Sequence, residues 1–118
     1  MRNGFPQVYF TFLNNIICEG LAETVTPFPS TSFVAQHWFA ANQIYADMIY
    51  IDASHEHQEV AADIRGWWRQ LRSGGVMVGD DYTTVWPGVI RAVEEARESI
   101  AGFNFIGLFG EKWVAQKR

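Results

Sequence analysis

At 118 residues the chain has room for one domain, and its 48% hydrophobic and 15% aromatic residues are enough for a real core. Nine basic against thirteen acidic residues give a net charge of −4 with no basic block, which argues against binding nucleic acid through its phosphates. No run approaches the ~20 apolar residues that cross a bilayer, residues 1–20 lack the continuous apolar run of a signal peptide, and the single Cys18 cannot close an internal disulfide; a soluble, cytoplasmic protein is expected.

Val8, Phe12, Leu13, Ile16, Ile17 and Leu21 recur at helical spacing and Gly20 is a natural stop, predicting a helix near 7–19 with Cys18 on its apolar face. Thr24 to Phe28 is short, partly β-branched and interrupted by Pro27, which predicts an imperfect or edge strand. Ser30, Thr31 and Ser32 supply a turn and a helix cap for a short helix over 33–42, with Phe33, Val34, His37, Trp38 and Ala41 turned at least partly inward. Met48 to Ala53 is an apolar strand. Glu56 to Leu71 is the clearest helix, with Val60, Ile64, Trp67, Trp68 and Leu71 on one face and Ser73-Gly74-Gly75 after it. Val76 to Gly79 is a second buried strand. Pro87 opens a helix whose buried face is Val89, Ile90, Val93, Ala96 and Ile100. Phe103 to Phe109 and Lys112 to Ala115 are joined by Gly110-Glu111 as a closing hairpin. Alternation of this kind predicts an α/β fold, one domain over 1–118, with a mostly parallel sheet, a C-terminal antiparallel hairpin and helices on both faces.

Both central strands end in carboxylates. Such sheets place ligands at the carboxyl ends of their strands, so Asp52, Asp80 and Asp81 are expected at one rim. Three carboxylates beside His55 suit an oxygen-ligated divalent metal next to a general base. Plainer readings stand beside these. Asp52 or His55 could simply cap the next helix, and His57 fits the surface. Tyr82 and Trp86 could line a substrate mouth, although Trp86 could equally pack on the following helix. Trp67 and Trp68 are adjacent on a helix and cannot face the same way.

Ile-Tyr-Ile-Asp-Ala-Ser-His (49–55), a Trp-rich helix, Leu-Arg-Ser-Gly-Gly-Val-Met-Val-Gly-Asp-Asp-Tyr (71–82) and Trp-Pro-Gly-Val-Ile-Arg-Ala-Val (86–93) occur in this order. Together they resemble the C-terminal half of class I S-adenosylmethionine-dependent methyltransferases, nearest to metal-dependent O-methyltransferases of macrolide and aminocoumarin sugars. The resemblance implies Mg²⁺ on Asp52, Asp80 and Asp81, with His55 as the base that deprotonates a small hydroxylated acceptor. It implies S-adenosylmethionine as cofactor, touched on its adenine side by Ser30, Thr31 and Ser32, with Tyr82 and Trp86 toward the substrate.

The sequence departs from that family at one place. The family fold opens with a strand and a glycine-rich loop, then a second strand ending in an acidic residue, and none of these is here. Gly4, Gly20, Gly74 and Gly75 do not replace the loop, since none follows a strand and opens a helix. In the family order 3-2-1-4-5-7-6 the missing first strand lies beside the fourth, so Met48 to Ala53 is expected as an open edge, covered by a rearranged strand or in a homo-oligomer. Three functions follow: an O-methyltransferase, a dimeric non-catalytic interaction module derived from one, or a metal-binding domain on the acidic rim.

Overall fold

The computed structural model describes Gly4 and residues 6–118. They fall into two compact units, residues 1–30 and 31–118. The first contains α1 (Gln7–Cys18). Its end follows the sequence reading: Gly20 takes φ +68°, Gly20 N–H donates to Ile17 O at 3.1 Å, and Leu21 N–H donates to Ile16 O at 2.9 Å. These two bonds satisfy carbonyls the helix end would otherwise leave open. Ile16 is buried, whereas Val8, Ile17 and Cys18 are exposed. The strand expected at Thr24 to Phe28 does not form. Thr24 and Val25 both turn back to Leu21 O at 2.9 Å, and Pro27 and Pro29 lack the N–H that a ladder needs.

The second unit runs α2 (Ser32–Ala41), β1 (Ala46–Ile51), α3 (His57–Gln70), β2 (Leu71–Gly79), α4 (Pro87–Ser99), β3 (Phe103–Phe109) and β4 (Lys112–Lys117). The strands lie in the order β1-β2-β4-β3; β1 and β2 are parallel, and the other two pairings are antiparallel. This mixed sheet reproduces the 4-5-7-6 end of the order expected from the resemblance, with β1 at an edge.

The α3 and α4 crossovers step the same way across the sheet, and right-handed connections stepping one way set their helices on one face. Accordingly α3 and α4 share a single core with the inward strand residues: Val60, Ile64, Trp68, Val89 and Val93 against Ile51, Met77, Trp113 and Ala115. Fully burying each aliphatic side chain contributes roughly 1.5–3 kcal/mol before entropy is counted. Along β2 and β4 the alternate residues Val76, Val78 and Val114 are only half-buried.

Two local expectations shift. On α2 the inward residues are Ala35 and, partly, Gln36 and Phe39, while Phe33, Val34, His37, Trp38 and Ala41 are exposed. A helix that is apolar nearly all round carries little phase information, so its periodicity misplaces the face. At the end of α3 no glycine caps the helix. Leu71 is already extended and starts β2, and Gly74 (φ +78°) turns a bulge between the Ala46–Leu71 and Met48–Val76 pairs.

Candidate active site

The carboxyl ends of β1 and β2 meet at one rim, as parallel neighbours must, and Asp80 N–H donates to Ile51 O at 3.0 Å there. Asp80 and Asp81 then part. Asp81 adopts φ +62°, an uncommon backbone state for a non-glycine residue that aspartate tolerates better than most. Its N–H donates to Asp80 Oδ1 at 2.9 Å. The two neighbouring carboxylates consequently serve different partners.

Asp81 Oδ2 lies 2.8 Å from His55 Nε2, and both side chains are about one third exposed (28% and 33%). The His55 ring stacks on Trp86 at 4.0 Å between centroids and 14° between planes. The imidazole is thus fixed by a carboxylate at its edge and an indole on its face, yet open to solvent. Ser54 Oγ accepts from the N–H of Glu56, the N-cap residue of α3, at 3.1 Å, and the His55 ring takes no part in this turn. Gly88 permits the close approach of α4: a Cβ there would stand 2.5 Å from His55 O and 2.8 Å from His57 N. His57 itself lies 2.8 Å from Glu95 Oε2 and ties α3 to α4.

Asp80 Oδ2 accepts from Tyr50 Oη at 2.6 Å and from Lys112 Nζ at 2.7 Å. Lys112 first, then Tyr50 and the Asp81 N–H, hold the Asp80 carboxyl at about 2, below its ordinary value of 3.8. The same carboxylate raises both Lys112 and Tyr50. Asp52 is exposed at the rim. Among the described residues, no group of three or more His, Cys, Asp or Glu side chains could hold a metal ion. Mg²⁺ asks for near-octahedral oxygen donors, and this arrangement spends one Asp80 oxygen on an ammonium and a phenol and one Asp81 oxygen on an imidazole. It does not fit the ion as it stands.

The remaining expected residues take other partners. Tyr82 is half-buried, packs against the core, and donates from its hydroxyl to Glu94 Oε1 at 2.8 Å. Thr31 caps α2 by accepting from Val34 N–H at 3.3 Å, and Ser32 Oγ accepts from Trp67 Nε1 at 3.0 Å. Ser30 belongs to the first unit. Beside β1 runs an open groove of about 390 Å³, walled by Ile49, Trp67 and Phe39, with Asp63 along it and Asp52 and Ala53 at the rim. An exposed carboxylate against apolar walls suits the hydroxyl-bearing face of a nucleoside.

Sequence reasoning missed Tyr50 and Lys112. Tyr50 reaches Asp80 from the parallel neighbour β1, and Lys112 arrives beside it because the β2–β4 pairing sets Trp113 opposite Gly79, a pairing that the hairpin alone does not specify.

Residues 6–82 match the family model described as "Methyltransferase domain". No curated relative matches the sequence. Among solved structures, CalS11, a TDP-rhamnose 3'-O-methyltransferase of calicheamicin biosynthesis in its apo form, is similar with a TM-score of 0.65 at 17% identity, over 98% of this chain and 54% of that one. MycE methyltransferase of the mycinamycin pathway, in complex with Mg, SAH and mycinamycin VI, gives a TM-score of 0.56 at 15% identity, over 79% of this chain and 31% of that one. The chain therefore spans about half the length of the first and about a third of the second.

Proposed function

This chain belongs to the methyltransferase domain family, and from that premise we propose that it carries the base-bearing half of an S-adenosylmethionine-dependent O-methyltransferase acting on a small hydroxylated acceptor. The observation that carries the reading is the His55–Asp81–Trp86 arrangement at the rim. With Nε2–H donating to Asp81, a neutral His55 keeps the lone pair of Nδ1 for a proton. Asp81 fixes that tautomer and would stabilise the imidazolium once the proton arrives. Trp86 holds the ring plane. The bound cofactor would supply an electrophilic methyl group, and the rim end of the groove at Asp52 and Ala53 is where its nucleoside would rest. The acceptor hydroxyl would give its proton to His55 while its oxygen takes the methyl group.

The Mg²⁺-assisted form of this reaction, implied by the resemblance, would require Asp80 to exchange Lys112 and Tyr50 for the ion. Deprotonation is assigned here to His55 alone.

The test is calorimetric titration with S-adenosylmethionine, followed by methyl transfer to a panel of hydroxylated sugars with the wild type and His55→Ala. The expected result is near one site per chain in both proteins, and transfer lost by about 10²–10⁴-fold in the variant. No binding at millimolar cofactor would rule out a stand-alone enzyme, and unchanged transfer by the variant would remove His55 from the role of base.

A further inference from the structure

Of the two consecutive carboxylates at the rim, Asp81 lies against His55 and Asp80 against Lys112. The backbone fixes the place of Lys112 from both sides. Trp113 is fully buried, stands opposite Gly79 and fills the space a Cβ would need there, so the residue before it is delivered to the rim. On the other side, Glu111 O accepts from Tyr82 N–H at 2.8 Å, which ties the loop after β2 to the turn before β4. Lys112 Nζ lies 2.7 Å from Asp80 Oδ2, and Tyr50 Oη lies 2.6 Å from the same oxygen. The Lys112 side chain is 47% exposed. An ammonium carries three donors, and the bond to Asp80 uses one of them. A divalent ion on Asp80 would compete with this ammonium for one oxygen, and like charges at that separation repel. Mg²⁺ dehydrates reluctantly and binds through carboxylates that are free to ligate it.

We propose that the Lys112 ammonium takes the place of a divalent ion at this rim: it neutralises Asp80, excludes Mg²⁺ and donates to the acceptor oxygen, so methyl transfer by this chain needs no divalent cation. The acceptor contact rests on the methyltransferase reading above; the exclusion of the ion does not. The chemistry asks for a positive charge beside the oxygen that loses its proton, because negative charge develops there. A held ammonium meets that demand. Asp80 and Asp81 are chain neighbours with Cα atoms about 3.8 Å apart, so the ammonium and the imidazole stand on adjacent carboxylates. In the step, the acceptor O–H bond breaks and its proton goes to His55 Nδ1. The oxygen bonds to the methyl carbon as the sulfonium C–S bond breaks, and the electron pair of that bond stays on sulfur. Lys112 keeps its proton throughout.

The experiment compares the wild type with Lys112→Met and Lys112→Arg. Lys112 is exposed, so both substitutions leave the core intact, and a melting temperature within a few degrees of the wild type checks this. Mg²⁺ is titrated into each protein in calorimetry, and methyl transfer is followed in EDTA and in millimolar Mg²⁺. Lys112→Met is expected to bind Mg²⁺ at least about tenfold more tightly than the wild type, whereas Lys112→Arg, which keeps the charge, is not. Wild-type transfer should be the same in both media. In EDTA, Lys112→Met should lose about 10²-fold in kcat/KM for the acceptor with cofactor affinity unchanged, and Lys112→Arg should recover part of that loss. Equal Mg²⁺ binding by the wild type and Lys112→Met, or none by either, would overturn the proposal, because Lys112 would not be what keeps the ion away. So would wild-type transfer that stops in EDTA and returns with Mg²⁺. Absence of transfer in all three proteins would sink the methyltransferase reading, and the titration would still decide whether Lys112 excludes the ion.

Discussion

Gly88→Ala tests whether backbone contact between α4 and the segment after β1 sets the position of His55. The new Cβ would lie 2.5 Å from His55 O, 2.8 Å from His57 N and 3.3 Å from His57 Cα. All three are backbone atoms, so no side-chain rotation relieves the contact, and the two segments must part by roughly 0.9 Å to regain ordinary separation. Overpacking of this kind costs about 1–3 kcal/mol. Alanine regains at most about 1 kcal/mol over glycine in a helix, and less in a first turn. The net loss of about 1–2 kcal/mol corresponds to a fall of roughly 4–8 °C in Tm. Trp86, two residues earlier, stacks on His55, so the displacement reaches the His55 ring. Misplacement approaching 1 Å costs up to about 10²-fold in rate, and a loss of roughly tenfold or more in methyl transfer is expected here. Thermal denaturation, the His55 ring resonances in NMR and the transfer assay give three independent readings. Val85→Ala, in the same loop but 73% exposed, should leave all three unchanged. An unchanged Tm with unmoved His55 resonances in Gly88→Ala would refute the argument.

Trp113 is the largest fully buried side chain, and its ring fills the space a Cβ would need at Gly79. Trp113→Ala should cost about 3–5 kcal/mol in chemical denaturation, a large part of the 5–15 kcal/mol typical of a domain. Asp80 is held at about 2 against an ordinary 3.8, so its contribution to stability is complete above the unfolded value and is lost as pH falls from about 4 toward 2. Lys112→Met removes the first cause of that depression, and the decline of Tm over this window should become shallower. The same variant leaves Asp80 Oδ2 with Tyr50 as its one remaining side-chain donor and should bind Mg²⁺ at least about tenfold more tightly than the wild type in calorimetry, because an ammonium no longer competes for the carboxylate. Equal affinities would show that Lys112 yields to the ion without cost.

The role of the rim rests on how its charges are shared. Three carboxylates left together would repel and raise at least one pKa. Here the Asp81 backbone turn separates the neighbours, an ammonium neutralises Asp80, and an imidazole takes Asp81. The donor set that sequence spacing suggests for a cation is arranged instead as two pairs. One of them leaves a solvent-reachable imidazole held at its edge by Asp81 and on its face by Trp86, and the proposed base rests on that pair.

The sequence by itself determined the elements with strong periodicity or distinct punctuation. The amphipathic face of α3, Pro87 at the start of α4, Gly20 at the end of α1 and the hairpin around Gly110-Glu111 depend on residues close in the chain, so local physics decides them. It also carried the carboxylates to one rim, because strand ends in a parallel pair fall together. Tertiary structure decided the rest. The face of α2 depends on packing against α3, which an all-round apolar sequence does not encode. The extended start of β2 at Leu71 depends on pairing with Ala46, which overrides the glycine stop expected after the helix. The division of Asp80 from Asp81 rests on one positive φ and on Lys112, 32 residues away in the chain. Contacts at that separation are made only once β4 pairs with β2, and no local preference of the chain encodes them.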